Sequence, residues 1–303
     1  MATGRRWWRW SRPSPTRPLP CTEFERAAEA VITGDVEALA ALLERDPSLV
    51  RARSTRATWP EPAVHAATLL HYVAANGVEQ PRQRSPANAE AIARSLLSAG
   101  AQPDALAGMY SAECATLSVL VSSTPPAQAD VQVPLVHALL DFGADPEGAG
   151  HGALRSPLLT ALAYGFPAAA RALVSRGARI DHLAKAAGVG DEAALRALLP
   201  GATTLERHRA LALAASGGHE SIVRRLVESG EDPNRLNPPG YHAHSTPLHQ
   251  AACAGHLGVV KALVALGART DLRDAIWEGD ALEWAVHCNQ PRVADYLRSL
   301  AER

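Results

Sequence analysis

Ser245-Thr-Pro-Leu-His-Gln-Ala-Ala-Cys-Ala-Gly-His256, continued by Leu257 to Asp271, reads as one complete helix–turn–helix unit. Thr246 offers a hydroxyl to the unpaired N–H groups of a helix start, and Pro247 stands at the first helical position, where a missing N–H costs nothing. Leu248, Ala251 and Ala252 share one face at helical spacing, and Gly255 ends the helix. A second helix over residues 257–266 carries Val259, Val260, Leu263 and Val264. Gly267 stops it in the left-handed conformation that glycine adopts most cheaply. Residues 268–274 then cross to the next unit as an extended, hairpin-like loop.

Weaker copies flank this stretch on both sides. Phe24 to Asp35 and Leu39 to Leu43 form the first. Thr68-Leu-Leu-His opens another, closed by Gly100; Thr116-Leu-Ser-Val-Leu leads to Gly143; Ser156-Pro-Leu-Leu leads to Gly177. His182-Leu-Ala-Lys leads to Gly201, Ala210-Leu-Ala-Leu to Gly230, and Asp280-Ala-Leu-Glu-Trp-Ala to Leu300. The pattern predicts about eight units, at 22–55, 65–105, 110–148, 151–181, 182–202, 205–237, 245–274 and 277–303, behind a tail at 1–21. Only 24 residues separate Gly177 from Gly201, so that unit lacks a long connecting loop. A single helix pair buries one side only; stacked pairs bury a continuous core, which makes the chain an all-α solenoid.

Composition agrees. Apolar residues make up 47% of the chain and aromatics 5%, and the small, unbranched residues among them favour close helix packing over sheet. The formal net charge of −1 provides no global field toward nucleic acid or membrane. Cations are nearly all arginine, with Lys185 and Lys261 the exceptions, which reads as codon bias from a GC-rich genome. Cys21, Cys114, Cys253 and Cys288 form no CxxC pair and are expected as reduced thiols in a cytoplasmic protein. No apolar run reaches membrane-span length, and no apolar core follows the charged start to make a secretory signal.

The Thr-Pro-Leu-His-x-Ala-Ala signature at 246–252, with a period near 33 residues, resembles the ankyrin repeat. The likeness is strongest at 245–274, good at 68–104, 156–181 and 210–234, and extends over nearly everything after residue 22; bacterial members of the family look most similar. The likeness to bacterial members is no more than a similarity to proteins of no settled biochemical role. The resemblance implies a non-enzymatic scaffold that binds another protein through loop tips and the concave side of the first helices, most simply as a monomer. By position the resemblance points to Tyr241, His242, His244, Ser245 and Cys253 in the seventh unit. It adds Arg273, Ile276, Trp277, Glu278 and His287 in the eighth, Asn76 in the second and Tyr164 in the fourth. It also makes His71 and His249 structural.

Two other readings arise from the residues. His242-x-His244 near His249 is a possible zinc-binding group, as a metal carrier or metal-dependent enzyme, although a bare pair of imidazoles is a weak signal. Arg5-Arg-Trp-Trp-Arg-Trp10 suits a lipid interface or stacked bases, against the simpler expectation of a disordered leader. Arg51, Arg53, Arg56, Arg82 and Arg84 form a second basic group, fit for an acidic partner or a solvated rim. No phosphate loop, nucleophile elbow or zinc-protease helix occurs, so no catalytic residue, cofactor or small-molecule substrate is expected.

Overall fold

Helical hairpins stacked in a row make up the computed structural model, which describes residues 22–56, 64–110, 112–152 and 155–301. The tail with Arg5 to Trp10, Cys21, and Glu302 and Arg303 lie outside the described residues. The helices pair as α1 (Glu23–Thr33) with α2 (Val36–Arg45) and α3 (Leu69–Ala74) with α4 (Ala89–Ser98). Next, α5 (Thr116–Leu120) joins α7 (Gln132–Asp141) through a short α6 (Thr124–Gln128). Then come α8 (Pro157–Ala163) with α9 (Pro167–Ser175), α10 (Leu183–Val189) with α11 (Glu192–Leu198), and α12 (Thr204–Gly217) with α13 (Glu220–Glu228). The last pairs are α14 (Pro247–Cys253) with α15 (Leu257–Ala265), and α16 (Ala281–His287) with α17 (Pro291–Ala301).

The first helices form one continuous inner row, α1 on α3, α5, α8, α10, α12, α14 and α16 in turn. Alanine makes this spacing possible: Ala28, Ala74, Ala161, Ala186, Ala214, Ala251 and Ala285 are all fully buried along the row. No helix among the described residues is long and apolar enough to cross a membrane.

Two histidine devices lock neighbouring pairs. In the Thr-x-x-His starts, the Nδ1 atoms of His71 and His249 accept the N–H of Thr68 and Thr246, each at 3.2 Å. Each ring therefore carries its proton on Nε2, which donates to a carbonyl of the next loop: Cys114 at 3.1 Å and Gly279 at 3.1 Å. At the starts of second helices, His219 and His256 reach back instead, to the carbonyls of Gly188 and Ser216, both at 3.0 Å. The His256 ring fills the space where a Cβ on Gly218 would lie at 2.7 Å from Nδ1, and Gly218 itself sits at φ +83°, so only glycine serves there.

The connecting loops are unequal. Between α4 and α5 the chain forms a hairpin, β1 (Leu106–Met109) antiparallel to β2 (Ala112–Ala115), with exposed Tyr110 at its tip. Its flanks pair with neighbouring loops through Gly108 N–H to His65 O at 2.8 Å and His151 N–H to Glu113 O at 3.1 Å. Between α11 and α12 only residues 199–203 intervene, as the 24-residue spacing predicts. The loop before α14 makes up the difference. It folds back over the inner row, so that Tyr241 packs on the core beside Leu213 and Ala163, under the Arg209 guanidinium, 5.9 Å from the ring centre.

Two expectations are corrected. The Cys253 and Cys288 thiols, expected as reduced, form a disulfide that staples the end of α14 to the end of α16. Sequence spacing hid this because the two residues come together only through stacking. Arg56 and Arg82, candidates for an acidic partner, both close on Glu25, at 2.6 and 2.8 Å. Glu25 itself is buried beneath them. Lys185 is likewise internal: only 2% exposed, its Nζ meets Glu147 at 2.9 Å and Asp181 at 3.0 Å.

Candidate partner-binding cleft

The loop joining α15 to α16 is built around Asp274, whose buried carboxylate accepts N–H groups from Ile276, Trp277 and Gly279 and the indole Nε1–H of Trp284, at 2.7–3.0 Å. Burial alone would raise its carboxyl pKa, but these donors outweigh that and hold it below the ordinary carboxylate range. One side chain thus fixes the backbone at Trp277 and the indole of Trp284. Their ring centres lie 5.6 Å apart at 61°, making an aromatic corner. His244 comes from the preceding loop and stands edge-on to Trp277 at 4.8 Å and tilted over Trp284 at 5.8 Å. Ala275 N–H to His244 O, at 2.7 Å, ties the two loops together.

These rings bound a cleft of about 270 Å³ on the inner side of α14 and α16. The Cys253–Cys288 bridge, Gln250, Glu283, His242 and His287 complete its walls. His244 is half-buried, and burial lowers its pKa first, with His242 next, so the ring is neutral near pH 7. Its Nε2 is buried with no hydrogen-bond partner among the described residues.

The residues singled out by the resemblance divide. Trp277, His242, His244, Cys253 and His287 all line the cleft. Ile276, 61% exposed, and Glu278 stand at the neighbouring loop tip, where the Arg273 guanidinium donates to the Glu278 carbonyl. Tyr164 is exposed at the end of α8, away from these walls. Three positions are withdrawn from any docking role. Ser245 is fully buried, and Tyr241 packs on its own scaffold with its phenol pKa raised by that burial. Asn76 turns inward: its amide donates to Ser122 Oγ at 2.8 Å and Val119 O at 3.3 Å, while Oδ1 accepts Gly77 N–H at 2.9 Å. Asn76→Ala should therefore lower stability by about 1–3 kcal/mol, read as a shift in urea midpoint, because buried partners lose their bonds.

The zinc reading gains nothing from the geometry. His242 Nε2 donates to Ala163 O at 2.9 Å, and both His249 nitrogens are committed to Thr246 and Gly279. Among the described residues, no three His, Cys, Asp or Glu side chains converge as a metal-binding group. Sequence reasoning missed Trp284, Gln250, Glu283 and Cys288. A signal existed for the first two: Trp284 stands to the cap Asp280 as Gln250 stands to the cap Thr246, so both occupy the same inward position of the repeat.

Comparison with known proteins agrees with this architecture. The family profile described as "Ankyrin repeats (3 copies)" matches residues 183–274 and 211–302. Cyclin-dependent kinase 4 inhibitor B of Bos taurus is 32% identical over 120 residues, which cover 30% of this chain and 91% of that protein. L-asparaginase of Dirofilaria immitis is 38% identical over 89 residues, 29% of this chain; the matched part spans only 14% of the asparaginase. The solved human ASB11 ankyrin repeat domain aligns over 89% of this chain and 96% of its own, with TM-score 0.42 and 19% identity. The paired helices, the Thr-x-x-His locks and a relative matched over nearly its whole length lead to one conclusion: the chain belongs to the ankyrin repeat family.

Proposed function

We propose that this protein is a non-enzymatic scaffold that binds another protein, with the aromatic cleft between the last two helix pairs as its principal contact. The observation that carries the reading is the pair Trp277 and Trp284, both half-buried and held by Asp274 on a preformed surface. Rigid aromatic side chains on a rigid scaffold lose little entropy on association, and tryptophan is enriched at interface hot spots. Exposed Ile276 at the neighbouring loop tip extends the surface. The cyclin-dependent kinase 4 inhibitor, by its name, also acts on another protein. A monomer in the cytoplasm is part of the same proposal; there the thiol pool acts on the Cys253–Cys288 bridge, and alkylation of intact cells reports its state.

Affinity capture from the source cells tests the reading. Wild type should retain a discrete protein that Trp277→Ala loses by about 30-fold or more, the effect of truncating a hot-spot residue. The variant's circular dichroism should be unchanged, since Trp277 lies on a loop outside the core clusters. Equal capture by both proteins would remove the cleft from the interface.

A further inference from the structure

We infer that the cleft receives the guanidinium of an arginine side chain presented by the partner, an inference that rests on the cleft being the binding surface. Two features select this chemistry.

The first is charge. Glu283 is the only Asp, Glu, Lys or Arg side chain among the cleft walls, and His244, neutral near pH 7, adds no positive charge. The carboxylate already meets one guanidinium, Arg273 Nη1 at 3.4 Å, but that contact is exposed and loose. Exposed pairs of this kind contribute little and yield to better-placed partners.

The second is the aromatic corner. The Trp284 N–H is committed to Asp274, so its ring has only its apolar surface left for a guest. Indole faces carry negative quadrupole density and attract cations, arginine more often than lysine, because the guanidinium is planar and weakly hydrated.

Arginine has five N–H donors in a fixed fork, so it can meet the Glu283 carboxylate while its plane lies against an indole. A quaternary ammonium has no N–H for Glu283, and an anion meets its carboxylate. The volume of about 270 Å³ also suits a single side chain better than a drug-sized molecule, whose pockets span roughly 300–1,000 Å³.

The test uses the full chain with ¹⁵N-labelled tryptophan, titrated with N-acetyl-arginine methylamide, the same derivative of citrulline, and that of lysine. The indole signals of Trp277 and Trp284, assigned through Trp277→Phe and Trp284→Phe, should move with the arginine probe at a dissociation constant on the order of millimolar. Citrulline, the same shape without the charge, should leave them unmoved, and lysine should bind more weakly. Glu283→Gln should weaken the arginine probe about tenfold, as expected for a lost charge-assisted bond. Glutamine still serves at the third position of a capping box, so the fold is preserved. Equal shifts with citrulline, no effect of Glu283→Gln, or no shift with arginine would each overturn the inference. Partner capture that depends on Trp277 while arginine fails to bind would sink the inference and leave the proposed function standing. Arginine binding with capture indifferent to Trp277 would remove the cleft from the interface, and the partner's arginine with it.

Discussion

Acidification from about pH 7 to about pH 4 should cost the folded chain roughly 3 kcal/mol through His71 alone. Burial lowers its pKa from 6.5 to about 4, aided by the nearby Arg53 and His65 and opposed by the bond to Cys114 O. The local geometry gives the same sign: Nδ1 accepts the Thr68 N–H and Nε2 donates to Cys114, so a second ring proton has no place to go. Above pH 6.5 the imidazole is neutral in both the folded and unfolded chain, and its contribution is fully present. Between 6.5 and 4 the unfolded chain takes up a proton that the folded chain refuses, so stability falls through that window at about 1.4 kcal/mol per pH unit and levels off below it. His249, His219 and His208 are lowered in the same direction, each chiefly by burial, and add to the loss. Hydrogen-exchange protection of the α3 amides, measured across this range, should fall with pH in the wild type. In His71→Gln it should start lower and fall less steeply. Parallel profiles for the two proteins would show that His71 does not govern the transition.

The second large effect comes from the staple. The Cys253–Cys288 bridge closes a loop with a sequence separation of 35 and joins two first helices that pack directly on one another. Under the loop-entropy description, its removal should destabilise the C-terminal pairs by about 3–4 kcal/mol. Reductant should therefore lower the urea midpoint of the wild type, and the double variant Cys253→Ser, Cys288→Ser should show the lowered midpoint with or without reductant. Cys114, buried and with its thiol pushed up to about 11 by that burial, should resist alkylation in both proteins. Alkylation of Cys253 and Cys288 in the unreduced, folded protein would show that the bridge is not formed. The consequence reaches the cleft, because the bridge is one of its walls. Reduced protein should show broader Trp277 and Trp284 indole signals.

Much of the fold was legible residue by residue. Pro247 and Gly267 punctuate α14 and α15 because proline at a first turn and glycine after a last one act within a few residues. The short unit after Gly177 was visible for the same reason, as a spacing. The cleft was legible only in part. Trp277, His242, His244 and His287 were found by transfer from the family, whereas Ser245, Tyr241 and Asn76 turned inward. No local signal marks that difference. Asn76 is drawn in by Val119 and Ser122 of the next pair, and Tyr241 by Ala163 and Leu213 of the inner row.

The sequence by itself determined the repeating unit: where the helices of its clearest copy start and stop, and that no hairpin is complete without its neighbour. Those are short-range properties, set by backbone preference and by which face is apolar. Tertiary structure decided what the neighbours do to one another. It joined Cys253 to Cys288, closed two arginines on Glu25, and set two tryptophans at an angle around Asp274. Burial, pairing and the charge of a cleft are properties of surfaces in contact, and those contacts arise only when the pairs are stacked.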